Sequence, residues 1–389
     1  MTRTTPANRR RPAQPRPAQQ RPASQRPRRR PLSREEALER QRRRDHQREM
    51  EQQSRELAKG PVDLPFLLLV LLLTAIGLVM LLSASFPSAY YETKDHNPMY
   101  YFTRQGVFAI MGVAAMLFIG KINYQRFRAL AKPALFVTVV LLALVPVIGV
   151  SQGDAKRWID LGFTTFQPSE IAKIALILYF SALICRYKGA MGTFRYGILP
   201  FAAVLLLIVG LLVLEPHFSA AIIIIAIGGV MLFLGGVRLG WFIGVGAAAL
   251  AGLGVIITFF PYASGRISTW LDPFANTSGD GYQIVQSLYS IGSGGLFGLG
   301  LGQGRQTYLY LPEEHNDFIF AVICEELGFA GAVAILLLFA ALIVRGYYLA
   351  LHMRDRFSFL VTAGITTLLA IQVILNVAVV TNLVPCTGI

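Results

Sequence analysis

Between Leu311 and Phe329 the chain reads LPEEHNDFIFAVICEELGF. Three acids, Glu313, Glu314 and Asp317, with His315 among them, lead into a long apolar run that itself carries Glu325 and Glu326. A carboxylate at membrane depth costs roughly 3 kcal/mol on insertion scales, so such groups are usually retained for a task, proton transfer and ion pairing foremost. Pro312 predicts a helix start, where the helix dipole favours acids, so capping is the plain alternative. At 100° per residue Asp317, Ala321, Cys324 and Gly328 share one face, small below the acid, which predicts a groove for a helix or a substrate tail. Glu325 and Glu326 lie about 12 Å deeper by helix rise and read as interior pairing groups.

A second polar constellation is GDAKRWIDLGFTTFQPSEIAK, residues 153 to 173. It sets Lys156, Arg157 and Trp158 before Asp160, then Gln167, Ser169, Glu170 and Lys173 at a helix start. Interfacial Trp, a capped helix and a Glu170–Lys173 pair at i, i+3 are its ordinary reading. Lys173 argues for more, because an ammonium one turn into a span needs an interior partner. The break LEPHFSA, residues 214 to 220, reads as a turn whose Glu215 and His217 either face solvent or line a polar cavity. The stretch GSGGLFGLGLGQGRQ lacks the Gly-Lys-Ser/Thr end and the preceding strand of a phosphate loop, and reads as a closely packed interfacial segment.

These groups need a scaffold, and composition defines it. The chain has 389 residues, 54% hydrophobic and only 15% charged, with a mean hydropathy of +0.52, which excludes a soluble domain with a polar shell. Apolar runs predict nine spans, near 64–84, 102–119, 134–150, 170–185, 197–214, 218–235, 240–260, 318–344 and 358–379. Lys and Arg in the short loops divide eleven against six in favour of the side bearing the N-terminus, so that side is expected to be cytoplasmic. The acids gather on the other side, and so is the chemistry expected to. The long connection 261–316 belongs to that outer side and begins with an amphipathic stretch.

The net charge of +14 is concentrated in a tail: residues 1–60 hold 18 Lys or Arg against 7 acids, and the remainder 18 against 15. The tail is rich in Pro, Arg and Gln, reads as largely disordered, and suits anionic lipid headgroups; no nucleic-acid-reading module accompanies it. The first apolar run, near Leu64, comes too late for a secretory signal peptide. Cys185, Cys324 and Cys386 lie far apart without ligand spacing, which argues against a disulfide framework or zinc site.

Taken in order, RWIDLGFTTFQPSEIAK, TWLDPFANTSGDGYQIVQSLYSIGSGGLFGLGLGQGRQ, YLPEEHNDFIFAVICEELGF and NLVPCTGI resemble the SEDS family (shape, elongation, division and sporulation), from about Leu64 to Ile389. LEPHFSA and NLVPCTGI are closer to its FtsW and SpoVE branch than to RodA. The resemblance implies an all-α polytopic bundle of ten transmembrane helices, nine of them present here, with a tenth expected beyond the end of this sequence. It implies a peptidoglycan glycosyltransferase that polymerises lipid II in the bacterial plasma membrane, at the division septum. The partners it implies are a class B penicillin-binding protein and other division-complex membrane proteins. By residue-by-residue transfer, Asp317 is the essential acid of a His-x-Asp-Phe motif that begins at the substrate-binding candidate His315, and Trp158, Gln167, Glu170 and Lys173 match the other characteristic outer-face motif, also as substrate-binding candidates. Lys156, Arg157, Arg266, Arg305 or a divalent cation, Mg or Mn, would meet the pyrophosphate. A lipid II flippase and a non-catalytic scaffold are the rival readings; a flippase should face ionisable groups to both leaflets.

Overall fold

The computed structural model describes residues 62–152, 155–162, 164–244, 246, 261–277, 279, 281–308 and 310–385. The tail 1–60, most of the expected span 240–260 and Cys386 lie outside the described residues. Eight described helices are long and apolar enough to cross a membrane.

Helix α1 (Leu64–Glu92) begins where Asp63 accepts the Phe66 N–H at 2.9 Å and Pro65 takes the first turn, which needs no donor. Helices α2 (Tyr100–Ile119) and α3 (Tyr124–Ile148) follow, the latter capped by Asn123. Helix α4 (Pro168–Arg186) is the most buried span; α5 (Leu199–Leu214) and α6 (Phe218–Gly235) complete the first half. Helices α7 (Pro261–Leu271) and α8 (Tyr282–Ser293) are shorter, and α9 (Ile319–Leu351) and α10 (Arg356–Val380) are long spans.

The core has two parts. In the first, α4, α5, α6 and α10 bury Leu176, Ile177, Phe180, Phe201, Ile224 and Met231, with Phe180 edge-on to Phe201 at 4.9 Å. Backbones approach closely there: a Cβ on Gly364 of α10 would stand 2.6 Å from Ile177 and 2.9 Å from Met231. In the second, Met80 and Ala84 of α1, Ile284 of α8, Phe318 to Cys324 and Val379–Val380 pack together beneath the acidic turn. This second cluster holds the acidic turn in place. By contrast α2 buries no residue along its length and packs on α1.

Two features depart from a purely helical reading. A small antiparallel sheet, β1 (Val150–Gln152), β2 (Ala155–Asp160) and β3 (Thr165–Phe166) in that order, sits between α3 and α4. Its register pairs Val150 with Trp158 and Ile159 with Phe166. Alternation along β2 therefore sends Arg157 to one face and Lys156 and Trp158 to the other. The long connection 261–318 also builds α7, α8 and a 3-10 turn (Pro273–Asn276) before it reaches α9.

The ends sort consistently. The C-terminal ends of α1, α3, α5 and α10, the N-terminal ends of α2, α4, α6 and α9, and the sheet form one end of the bundle, the acidic end. At the opposite end Arg345 of α9 clasps Asp63 at 2.6 and 3.0 Å, joining the last turns of α9 to the start of α1.

Candidate active site

Residues 311–318 are a succession of turns, and the regular helix starts at Ile319, so Pro312 does not open α9 as its position suggests. The cause is local. Glu313 adopts a left-handed conformation (φ 55°), its carbonyl collects the N–H groups of Asn316 (3.1 Å) and Phe318 (3.2 Å), and its carboxylate accepts the Asn316 side-chain amide at 2.7 Å. An Asn side chain that bonds nearby groups competes with helix formation. Glu314, 4% exposed, accepts the Ser88 hydroxyl of α1 and stands 3.6 Å from His315 Nδ1, an ion-pair rather than hydrogen-bond distance.

The His315 ring lies on Tyr101 of α2, centroids 4.4 Å apart, and the Tyr101 hydroxyl donates to Glu92 at 2.6 Å. Burial disfavours the imidazolium, but the carboxylates of Glu314, Glu313 and Glu92 outweigh it, and His315 titrates above the ordinary imidazole value. Asp317 is half-buried, two residues ahead of α9, and its backbone carbonyl accepts the Asn376 amide of α10 at 3.0 Å. The turn is thereby tied to α1, α2 and α10 at once.

Below Asp317 the small-residue face is filled rather than open. Ser290 of α8 donates to the Ala321 carbonyl at 3.1 Å, and a Cβ on Gly294 would overlap the Cys324 carbonyl. One turn further on, Gly328 leaves helical geometry altogether (φ 68°, ψ −171°). The glycine-rich segment meets this break: Leu299 and Gly300 donate to the carbonyls of Glu325 and Glu326, each at 3.0 Å. In return Phe329 and Ala330 donate to Gly295 (2.9 Å) and Leu296 (3.0 Å). Four of the backbone groups at the break are thus bonded to the neighbouring segment, as a chain at membrane depth requires. Only glycine fits at Gly298 (φ 79°), where a Cβ would overlap the Glu326 carbonyl.

The two deep acids are interior pairing groups, as their depth suggests. Glu325, 0% exposed, accepts from Arg305 N (2.7 Å), Ser290 Oγ (3.2 Å) and Gln306 N (3.3 Å). Glu326, 1% exposed, accepts the Ser83 hydroxyl of α1 at 2.6 Å. Their partners are chiefly the backbone of the loop that carries Arg305, so both carboxylates shape that loop.

A second polar cluster forms where β2, α4 and the α5–α6 turn meet. Arg157 donates to the Pro216 carbonyl at 2.6 Å, while its Nε is buried without a partner. Lys173, buried to 2% exposure, pairs at 2.8 Å with Glu170, whose own side chain is 52% exposed, so this is the ordinary i, i+3 pair and not an interior partner. Glu215 and His217 are buried, and neither Glu215 oxygen nor His217 Nδ1 has a hydrogen-bond partner; Ser169 Oγ shares that state. Burial pushes the Glu215 carboxyl up to about 7, against the pull of Arg157. Burial, then the charges of Arg157 and Lys173, push the His217 imidazole down to about 4. At neutral pH His217 is uncharged and Glu215 about half protonated, so Glu215 offsets the Arg157 charge only in part. The cluster is therefore suited to an anion.

The remaining candidates are distributed around these two centres. Trp158 and Lys156 lie on the other face of β2, and Gln167 is the residue before α4, where its carbonyl accepts the Glu170 N–H at 3.1 Å. Arg305 is exposed beside a recess of about 570 Å³ that it lines with Gln303, Tyr308 and Tyr310; its loop is joined to the acidic turn by the Leu311 N–H on Gln306 O at 3.0 Å. Arg266 rides on α7, which is fastened to the end of α10 by reciprocal Trp270–Asn382 hydrogen bonds of 3.1 and 3.2 Å. The Arg266 side chain lies outside the described residues.

The two centres are connected through the first turn of α2, where Tyr101 holds His315 and Arg104 Nη2 donates to Thr164 Oγ1 of the sheet at 3.2 Å. Tyr101, Arg104, Ser88 and Asn376 are residues that motif reasoning passed over. Arg104 and Asn376 carried a signal: Arg104 is the charged side chain of α2, and Asn376, with Gln372 a turn before it, brings an amide into a largely apolar helix.

A multi-pass helical bundle with most of its acidic side chains gathered at one end is the form of a membrane protein that handles a polar group at the lipid–water boundary. The cell cycle protein family of FtsW, RodA and SpoVE matches residues 63–389, and the chain belongs to that family. It is 38% identical to stage V sporulation protein E of Bacillus subtilis, over 85% of this chain and 90% of that protein. It is 40% identical to a probable peptidoglycan glycosyltransferase FtsW of Trichlorobacter lovleyi, over 84% and 86% of the two chains. Among solved structures it superimposes with a TM-score of 0.69 on a chain of a peptidoglycan synthase complex whose polymerization and crosslinking are coordinated. That chain is 28% identical, with 84% of this chain and 89% of that one covered. Thermus thermophilus rod shape determining protein RodA matches with a TM-score of 0.59 at 28% identity, covering 84% and 87%.

Proposed function

We propose that this protein is a peptidoglycan glycosyltransferase that polymerises lipid II into glycan strands. The donor is a glycan on undecaprenyl pyrophosphate and the acceptor is the C4 hydroxyl of a second lipid II. The α-linked pyrophosphate leaves as the β-1,4 bond forms, so a single inverting displacement suffices. Asp317 takes the hydroxyl proton as general base, a role typically worth 10²- to 10⁴-fold.

The observation that carries this assignment is the multiple anchoring of the Asp317 turn, through Ser88, Tyr101 and Asn376. A capping residue needs no such support, whereas a base must be held in place. Arg157 and Lys156 of β2, with Arg305 and Arg266 on the neighbouring elements, receive the pyrophosphate charge. A divalent cation, Mg or Mn, would serve the same end by bridging the pyrophosphate oxygens to a carboxylate of the site.

Sidedness follows from the charge bias: the basic tail and the Asp63 end face the cytoplasm, where the tail meets anionic lipid, and the acidic end faces outward, at the division septum. The relative within a peptidoglycan synthase complex supports a crosslinking partner, read as a class B penicillin-binding protein. Crosslinking in native membranes that never recovers a transpeptidase would count against that partner. Incubation of purified protein with lipid II separates an enzyme from a flippase or scaffold: glycan polymer is the expected product, and its absence from an intact, lipid-reconstituted preparation would overturn the reading.

A further inference from the structure

At the end of the bundle opposite the acidic turn, one span finishes with α4 at Arg186, and the next, which continues into α5 at Leu199, begins at Phe194. The connection between them is a short 3-10 turn (Lys188–Ala190) and then a π-helical turn (Phe194–Ile198). A π turn is rare and frequently marks a functional site. Tyr187 and Tyr196 face each other at 5.4 Å across this connection. Arg186 lies over Tyr187 at 5.9 Å, and Arg195 over Tyr196 at 5.8 Å. Between them opens a recess of about 400 Å³ lined by Arg186, Tyr187, Gly189, Ala190 and Tyr196.

Charge is unbalanced at this corner. Arg186, Lys188, Arg195 and Arg238 are exposed, and the ion pairs among the described residues, Lys173–Glu170, His315–Glu314 and Arg345–Asp63, include none of them. The acid that shares the corner, Asp355, is engaged by the N–H groups of Phe357 and Ser358 at the start of α10. Basic loops and interfacial aromatics are ordinary features of a membrane protein, and they account for the residue types. They do not account for a recess whose walls are two tyrosines, each carrying a guanidinium.

We propose that this corner binds the phosphate of an anionic phospholipid headgroup, with Arg186 and Arg195 as its charged ligands and Tyr187 and Tyr196 as its walls. A lipid is favoured over a soluble anion because the recess opens where two spans end. Exposed Phe194, Leu199 and Trp241, at 51%, 52% and 39% exposure, lie on the adjoining helix ends, where acyl chains would run. The site stands apart from the glycosyl-transfer chemistry and does not depend on it.

The test is native mass spectrometry of the full chain, delipidated and titrated with diphosphatidylglycerol, phosphatidylglycerol or phosphatidylcholine, with inorganic phosphate as a separate arm. The expected result is retention of the anionic lipids over phosphatidylcholine, with affinity lowered at least about tenfold in Arg186→Gln/Arg195→Gln, from about 1 kcal/mol per basic residue. Arg186→Lys/Arg195→Lys should retain part of it. The pair Lys121→Gln/Arg126→Gln removes the same charge outside the recess lining and should bind as wild type. Equal loss in both pairs would reduce the effect to general surface charge and overturn the site. Displacement of bound lipid by millimolar inorganic phosphate would overturn the assignment to a lipid.

Discussion

Glu215 combines two properties that seldom coexist: it is 1% exposed, and neither carboxylate oxygen has a hydrogen-bond partner. An ionised carboxylate in that state is costly, and burial raises its titration to about 7 from an ordinary 4.5. Because the folded value lies above the unfolded one, the neutral form stabilises the fold fully below about 4.5, and that stability is lost as pH rises through about 7. Glu215→Gln removes the penalty. Thermal unfolding in detergent should show the variant more stable than wild type at pH 8, by on the order of 2 kcal/mol, with the difference vanishing near pH 4.5. A pH-independent difference would mean that the Glu215 carboxyl titrates alike in the folded and unfolded chain, which would contradict the burial penalty. His217 works in the opposite sense. Its folded value near 4 lies below the ordinary 6.5, so acidification from pH 6.5 to 4 destabilises the protein, and Glu215→Gln leaves that arm unchanged.

At the scale of elements, the glycine-rich segment and the break in α9 are one device. Gly298 and Gly328 bring two backbones together, and four hydrogen bonds cross between them. Gly298→Ala places a methyl on the Glu326 carbonyl at a left-handed φ, and should cost on the order of 3 kcal/mol. Gly295 also has a positive φ (55°) but has open space at its Cβ position, so Gly295→Ala should cost only about 1 kcal/mol. Parallel unfolding measurements that rank the two equally would contradict the clamp. The same region shows where sequence reading stopped. The spans were legible because apolar runs of this length have few other uses, and α8 was legible as an amphipathic stretch. The break at Gly328 was not, because a glycine in an apolar run is equally compatible with an unbroken helix. The sheet at 150–166 escaped because strands of two to six residues bearing Lys156, Arg157 and Asp160 carry no apolar alternation. Pro312 pointed to the wrong helix start because the Glu313–Asn316 bracket overrides it.

For the molecule as a whole, the sorting of charge between the two ends predicts sidedness. In an otherwise cysteine-free background, Thr277→Cys should react with an impermeant thiol reagent on intact cells, whereas Met353→Cys should react only after permeabilisation. The reverse pattern would place the acidic end in the cytoplasm, away from any outward-facing polymerisation. The candidate residues were legible one by one, but their grouping was not. Nothing in spacing joins His315 to Tyr101 or Arg157 to Pro216, since those contacts arise only when α2 and the α5–α6 turn reach the same end of the bundle.

The central claim is that Asp317 serves as the base of glycosyl transfer. Asn has nearly the same volume, and the contacts that anchor this turn include the Asp317 backbone carbonyl, so Asp317→Asn should keep expression, detergent stability and lipid II binding near wild type. Single-turnover polymerisation of bound lipid II should slow by about 10² or more, the usual scale for losing a general base. A variant that binds lipid II normally and polymerises it at a near wild-type rate would contradict the assignment.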